Sequence, residues 1–282
     1  MRRPKSWPRT NPRQGHIKVS LYNYCLTQMS ALFSLDWPVR SCQPAGMNQD
    51  LHQPTHIPFA FPGLDRVQCR FTTRFGAHRT ESGDRRPQIK KMLAAPSWLD
   101  MEQVHGTDMA VISDPDRQYK AARPRADALA TDLPGQALVA SVADCQPLLL
   151  AHSQGRFVAA LHVGWRASRA GAPGLWVQGL CENYGVLPQD IMAVRGPSLG
   201  PGKSEFVNFD AEWGPDFADY FHPQARTVDL WRMSRDQLIQ AGLLVENIFS
   251  LDLCTFSLRR LFFSYRRDKT LGRQAGIIWL TP

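Results

Sequence analysis

Three short apolar runs dominate the middle of the chain: 137–142 (ALVASV), 147–151 (PLLLA) and 157–163 (FVAALHV). Ser153, Gln154 and Gly155 punctuate the gap between the last two. Runs of this length bounded by turn residues read as strands, and the Gly-containing gap reads as a β-hairpin. A turn centred at 154–155 pairs residue 148 with residue 161 and residue 147 with residue 162. Residues 66–73, 109–113 and 191–195 read as further strands. The segment 168–184 reads as a helix packing Leu175, Leu180 and Tyr184, its start delayed by Pro173 and Gly174. Residues 229–241 make an amphipathic helix with Leu230, Ser234, Leu238 and Ala241 on one face. The chain is expected to end as a hairpin, FFSY and GIIWL flanking RRDKTLGR. Strands arriving both as hairpins and after helices predict an α/β (α+β) fold, a single domain with a large mixed β-sheet flanked by helices.

Charge changes this picture only at the N-terminus. The chain of 282 residues carries a net charge of +8. Residues 1–55 hold seven Lys/Arg against two Asp, a net +5, and the other 227 residues carry +3. Residues 1–55 are therefore expected to form a poorly ordered basic tail, and residues 56–282 the folded domain. The tail is rich in Pro, Arg, Ser and Gln and lacks a continuous apolar stretch of the secretory kind. Met47 makes a natural start if the assigned start lies too far upstream. No nucleic-acid module is recognisable and no apolar run approaches membrane length, so neither a nucleic acid nor a membrane is an expected partner. The six cysteines are scattered without a CxxC, the usage of a reducing cytosol, so the expected location is cytoplasmic.

The candidate chemistry lies in His105 of MEQVHG, Cys145 of VADCQP and His162 of ALHVGWR. One thiol and two imidazoles form a donor set that zinc accepts, and three protein ligands leave a position open for water or substrate. The intervals of 40 and 17 residues exclude a compact zinc-finger clip, so the fold must assemble the site. In the predicted hairpin Cys145 lies two residues beyond the partner of His162, a diagonal neighbour roughly 7–8 Å away at Cα. His105 has to come from another strand or loop. The bland alternative is a buried thiol and two structural histidines.

The segments LDMEQVHGTDM, ADALATDLPGQALVASVADCQPLLL, AALHVGWR and LFFSYRRDKTLGRQAGIIWL closely resemble the laccase-domain family, also called the multicopper polyphenol oxidase or peptidoglycan editing factor family. FPGLDRVQCRFTTRFG, RGPSLGPGKSEF and DLCTF fit the same pattern in the same order, so the resemblance runs from about Ile57 to Leu280. It implies a zinc site on His105, Cys145 and His162. It also implies purine nucleoside chemistry: phosphorolysis of adenosine, inosine, guanosine or methylthioadenosine, and adenosine deamination. The partners would then be a purine nucleoside and phosphate. The oxidase name implies copper, but a multicopper enzyme needs many His and this chain has eight.

A zinc on this donor set brings the pKa of a bound water to about 7, which suits attack at C6 of adenosine. Asp144 and Glu205 are the candidate proton carriers. Arg74 of FTTRFG, Arg166 of GWR and Arg266 of SYRRD are the candidate anion contacts, because a guanidinium forks onto oxyanions. The loop GPSLGPG at 196–202 offers a further backbone-lined anion cradle, without the ending of a P-loop. The sequence departs from the family pattern in several places. Only 23 residues separate Arg74 from Trp98, without the usual Asn-bearing motif. Ala77, Ala167 and Ser204 stand where relatives carry Gly, Gly and an aromatic residue. Rival expectations are a Cys–His hydrolase or amidase acting on peptidoglycan precursors, with Cys145 as nucleophile and His162 as its base, and a polyphenol oxidase. A non-catalytic nucleoside-binding protein is a third.

Overall fold

The apolar runs do become strands, and the strands make two sheets instead of one. A computed structural model describes residues 53–76, 79–80, 83–84, 97–114 and 123–282. The expected basic tail lies outside these residues except for 53–55, and so does most of the stretch between Arg74 and Trp98. In the first sheet β1 (His56–Phe59), β2 (Val67–Thr72), β15 (Gln274–Leu280), β8 (Gln136–Val142) and β5 (Ser97–Asp100) lie side by side in that order. The second runs β14 (Ile248–Ser250), β11 (Ile191–Arg195), β9 (Gln146–His152), β10 (Val158–Val163), β7 (Ala128–Thr131) and β6 (Met109–Ile112). Two short ribbons pair β3 (Arg79–Thr80) with β4 (Gly83–Asp84) and β12 (Phe221–His222) with β13 (Thr227–Val228). Both sheets are mixed: β5–β8, β6–β7 and β11–β14 are parallel and the other pairs in these two sheets antiparallel. The mixed α/β class therefore holds, with the sheet divided in two.

The division follows from the strands' two-sided burial. Leu149, Ala151, Val158, Ala160 and Val194 of the second sheet share one apolar core with Cys69, Phe71, Leu138 and Ile278 of the first. The alternate residues Leu148, Leu150, Ala159, Leu161 and Ala193 pack against helices instead. Of the helices α1 (Trp165–Arg169), α2 (Ala172–Tyr184), α3 (Phe209–Glu212) and α4 (Leu230–Gln240), α2 and α4 cover this face through Trp176, Val177, Leu180 and Leu238. A strand buried on both faces reads as a continuous apolar run, which is why β8, β9 and β10 were visible in the sequence. The sheets approach closely at Gly276, where a Cβ would lie 2.8 Å from Pro147 Cβ, two residues from Cys145.

The β9–β10 hairpin has the expected register, Leu148 opposite Leu161 and Pro147 opposite His162. Three expectations need correcting. The helical stretch is split into α1 (Trp165–Arg169) and α2, and Leu175 points outward, 51% exposed, while Trp176 and Val177 are buried in its stead. The C-terminal hairpin does not form. Both edges of β15 are already taken by β2 and β8. Residues Tyr265–Asp268 turn into the short helix α5, capped by Ser264, whose Oγ accepts from the Arg267 N–H at 3.2 Å. The 196–202 loop is no anion cradle across its first half, because its N–H groups are committed: Gly196 to Pro147 O, Ser198 to Leu253 O, Leu199 to Asp144 O and Gly200 to Cys254 Sγ.

Candidate metal centre

The end of β10, the approach to β9 and the approach to β7 meet at one end of the second sheet. His162 lies one residue before the last of β10, Cys145 immediately precedes β9, and Asp127 immediately precedes β7. His105 sits in the loop between β5 and β6, with a left-handed φ of 59°. The donor atoms of His105, Cys145 and His162 all lie within 4.8 Å of one another. The two imidazoles meet edge to face with ring centroids 4.8 Å apart. His162 is buried, Cys145 half-buried and His105 exposed, so the cluster is sealed behind and open at the His105 side. Among the described residues no other trio of His, Cys or carboxylate donors converges in this way.

The residue that assembles the cluster is Asp127, which the sequence reading did not single out. Its carboxylate is fully buried, and Oδ1 lies 2.8 Å from His162 Nδ1. The same carboxylate accepts the backbone N–H groups of Val104 (3.2 Å), His105 (3.0 Å) and Gly106 (2.7 Å). Three consecutive N–H groups thus wrap one carboxylate and fix the loop in the conformation that presents His105. A hydrogen bond at Nδ1 leaves His162 Nε2 free to ligate, the arrangement in which a carboxylate orients a metal-binding histidine. Burial pushes the Asp127 carboxyl up, but the bonds from His162, Gly106 and His105 hold it below the usual carboxylate range. The available signal was the first of the two acids in ADALATD, at the mouth of a buried strand. Gln103 adds a second brace: its amide donates to Ser141 O and accepts from Ser141 N, both at 2.8 Å, pinning the His105 loop to β8.

Gly164 closes the other side. A Cβ there would lie 2.8 Å from His105 Nδ1 and 3.4 Å from Cys145 Sγ, so only glycine lets the chain leave β10 against the cluster.

Asp144, next to Cys145, has a φ of 100°, a backbone strain concentrated beside the cluster. Its carboxylate is engaged on both oxygens: Oδ1 accepts from Thr255 Oγ1 at 2.7 Å, and Oδ2 from Ser264 Oγ at 3.0 Å and the Arg266 N–H at 2.6 Å. Asp144 therefore anchors the loops at 255 and 264–266 to the cysteine turn. The Arg266 guanidinium donates from Nη1 to the Glu205 carbonyl at 2.6 Å and lies 5.7 Å from the Phe206 ring. The half-exposed Glu205 side chain accepts from Arg226 at 3.1 Å. Arg166 is exposed, its guanidinium 4.4 Å over the Trp165 ring. Arg74 bonds to the Arg259 carbonyl at 3.0 Å and lies over Phe263, instead of contacting any residue of the cluster. Cys254 Sγ accepts the Gly200 N–H at 3.3 Å, a packed thiol in the loop behind Asp144.

With no metal bound, Cys145 and His162 form a coupled pair. Burial pushes the thiol up, but the His162 and His105 imidazoles outweigh it and bring Cys145 down to about 6. Burial pushes His162 down, and the neighbouring thiolate and Asp127 outweigh that and raise it to about 9. The thiol is protonated and slow below its pKa and a thiolate above it. Alkylation of chelator-treated protein by iodoacetamide should therefore rise through about pH 6 at Cys145. Cys69, buried and shifted upward, should stay unlabelled. Peptide mass mapping across pH 5–8 reads both; a Cys145 profile that rises only above pH 8 would contradict the pairing.

A profile of the multi-copper polyphenol oxidoreductase laccase family matches residues 74–281. The chain is 36% identical over 220 residues to the purine nucleoside phosphorylase YfiH of Escherichia coli, covering 73% of this chain and 85% of that one. It is 32% identical over 272 residues to the purine nucleoside phosphorylase PA4543 of Pseudomonas aeruginosa, covering 89% and 99%. Among solved structures, YlmD from Geobacillus stearothermophilus aligns with a TM-score of 0.69 at 25% identity, covering 82% of this chain and 100% of that one.

Proposed function

The chain belongs to the multi-copper polyphenol oxidoreductase laccase family, and we propose that it is a zinc-dependent purine nucleoside phosphorylase that also deaminates adenosine. The observation that carries this reading is the trio His105, Cys145 and His162, open on one side and braced by Asp127. One thiolate with two imidazoles suits a tetrahedral zinc with a free position, and the relatives named above carry the phosphorylase name. A multicopper oxidase needs several His-rich centres, and among the described residues one trio is available. When bound, the zinc supplies a Lewis acid and lowers the pKa of water to about 7.

The protein's own groups supply positioning. In phosphorolysis an oxygen of phosphate bonds to C1′ of the ribose as the C1′–N9 bond breaks, and the bonding pair leaves with the base, which takes up a proton. Arg166 and Arg266, on either side of the Trp165–Phe206 contact, are the anion contacts in this reading. Glu205 is the proton carrier. The Asp144 carboxylate, with three donors on it, is a positioning group, and Arg74 serves the C-terminal segment. Guanosine, inosine and methylthioadenosine are further expected substrates, and the cytoplasm the expected location; no helix among the described residues is long and apolar enough to cross a membrane.

The test is a chromatographic assay of zinc-loaded and chelator-treated protein on adenosine, with and without phosphate. Adenine with ribose 1-phosphate, formed only when phosphate and metal are both present, is the expected product of phosphorolysis. Inosine without phosphate is the product of deamination. No product under any condition would overturn the proposal. The depressed Cys145 thiol beside His162 favours a second reading, a Cys–His hydrolase acting on peptidoglycan precursors. Metal separates the two: zinc activates the phosphorylase and blocks the nucleophile.

A further inference from the structure

Directly after Gly164, the short helix α1 lines an open surface depression of about 410 Å³ with Trp165, Arg166, Arg169 and Ala170. The depression starts one residue from the glycine at which a Cβ would meet His105 and Cys145. Trp165 is fixed in place, its ring 5.7 Å from both Phe206 and Trp213. The Arg166 guanidinium lies on that indole, so its fork is already oriented before any ligand arrives. Arg169 is three residues further on, one turn along the same side of the helix. Both arginines are exposed, and among the described residues neither has a carboxylate partner. Two uncompensated guanidinia beside a metal cluster attract oxyanions.

We propose that Arg169 forms a phosphate subsite at the rim of the metal pocket, so that this chain prefers a purine nucleoside 5′-phosphate over the free nucleoside. The inference rests on the purine reading above. Phosphorolysis already needs one oxyanion at C1′, for which Arg166, two residues along the chain from Gly164, is the candidate. The second guanidinium, one helical turn outward, is then available for a phosphate that the substrate itself carries.

Calorimetric titration of zinc-loaded protein with adenosine, AMP and inorganic phosphate tests the subsite. Wild type should bind AMP about tenfold more tightly than adenosine, as one charge-assisted contact allows. R169A should bring AMP to the adenosine value and leave adenosine unchanged, and R169K should keep part of the preference. The AMP advantage should shrink as salt is raised, because the guanidinium is exposed. Equal binding of AMP and adenosine by wild type overturns the subsite. So does an R169A variant that loses inorganic phosphate but keeps its AMP preference, since the site would then serve the free anion. Binding of neither adenosine nor AMP would instead defeat the purine reading itself.

Discussion

Cys145→Ala is expected to strip the protein of metal and of turnover together. Cys145 is the one anionic donor of the trio, and the neutral imidazoles of His105 and His162 alone hold a divalent ion weakly. Elemental analysis should find about one zinc per wild-type chain and under about a tenth of that in the variant. Phosphorolysis should fall on the order of 10³-fold or more, since the Lewis acid leaves with the thiolate. The fold should survive, because the side chain is small and half-buried at the head of a strand, and near-ultraviolet circular dichroism should be unchanged. A variant that retains full metal yet loses activity would shift the assignment to a cysteine nucleophile.

The second large effect is expected at Asp127, at some cost to stability as well as to metal affinity. Its two oxygens serve four donors, three from consecutive backbone N–H groups and one from His162. Asp127→Asn preserves shape but turns one acceptor into a donor, so two of the four bonds face an N–H group instead of an oxygen. Loss of such an outer partner typically costs about 10–100-fold in metal affinity. Leaving buried donors unsatisfied costs about 1–3 kcal/mol each, and Asp127→Ala, which removes every acceptor, should destabilise by roughly 3–5 kcal/mol. Chelator competition measures the first quantity and urea unfolding the second. Unchanged zinc affinity in a folded Asp127→Asn variant would show that Asp127 braces the loop without tuning the metal. The pH dependence has a definite sign. The folded Asp127 carboxyl is held below its unfolded value. Its contribution is therefore complete above the ordinary carboxylate pKa and is lost as pH falls through the lowered one. Wild type should lose this increment in acid, and Asp127→Asn, having none to lose, should show a flatter acid limb.

The three donors could be read from the chain because each carries a distinctive side chain in an apolar setting, and two of them sit on a hairpin whose register a short turn dictates. The helix Leu230–Gln240 was legible for the same reason, through its period. Asp127 was not, since an acid before a strand is ordinary until its four donors are located, and those come from residues 104–106 and 162. Asp144 was visible but given a proton-carrying task, whereas its oxygens hold residues 255, 264 and 266, more than a hundred positions away. The final hairpin failed because local turn residues cannot report that β15 is already paired on both sides.

The amino-acid sequence by itself determined the donor chemistry, the strands buried on both faces and the hairpin that brings Cys145 within reach of His162. These depend on side-chain type and on contacts between near neighbours. Only the tertiary structure decided that one strand set would split into two sheets, that His105 would close the trio, and which carboxylate would orient it. Those outcomes depend on contacts between distant segments, where burial and hydrogen-bond satisfaction are settled by the whole fold and leave no local periodicity to read.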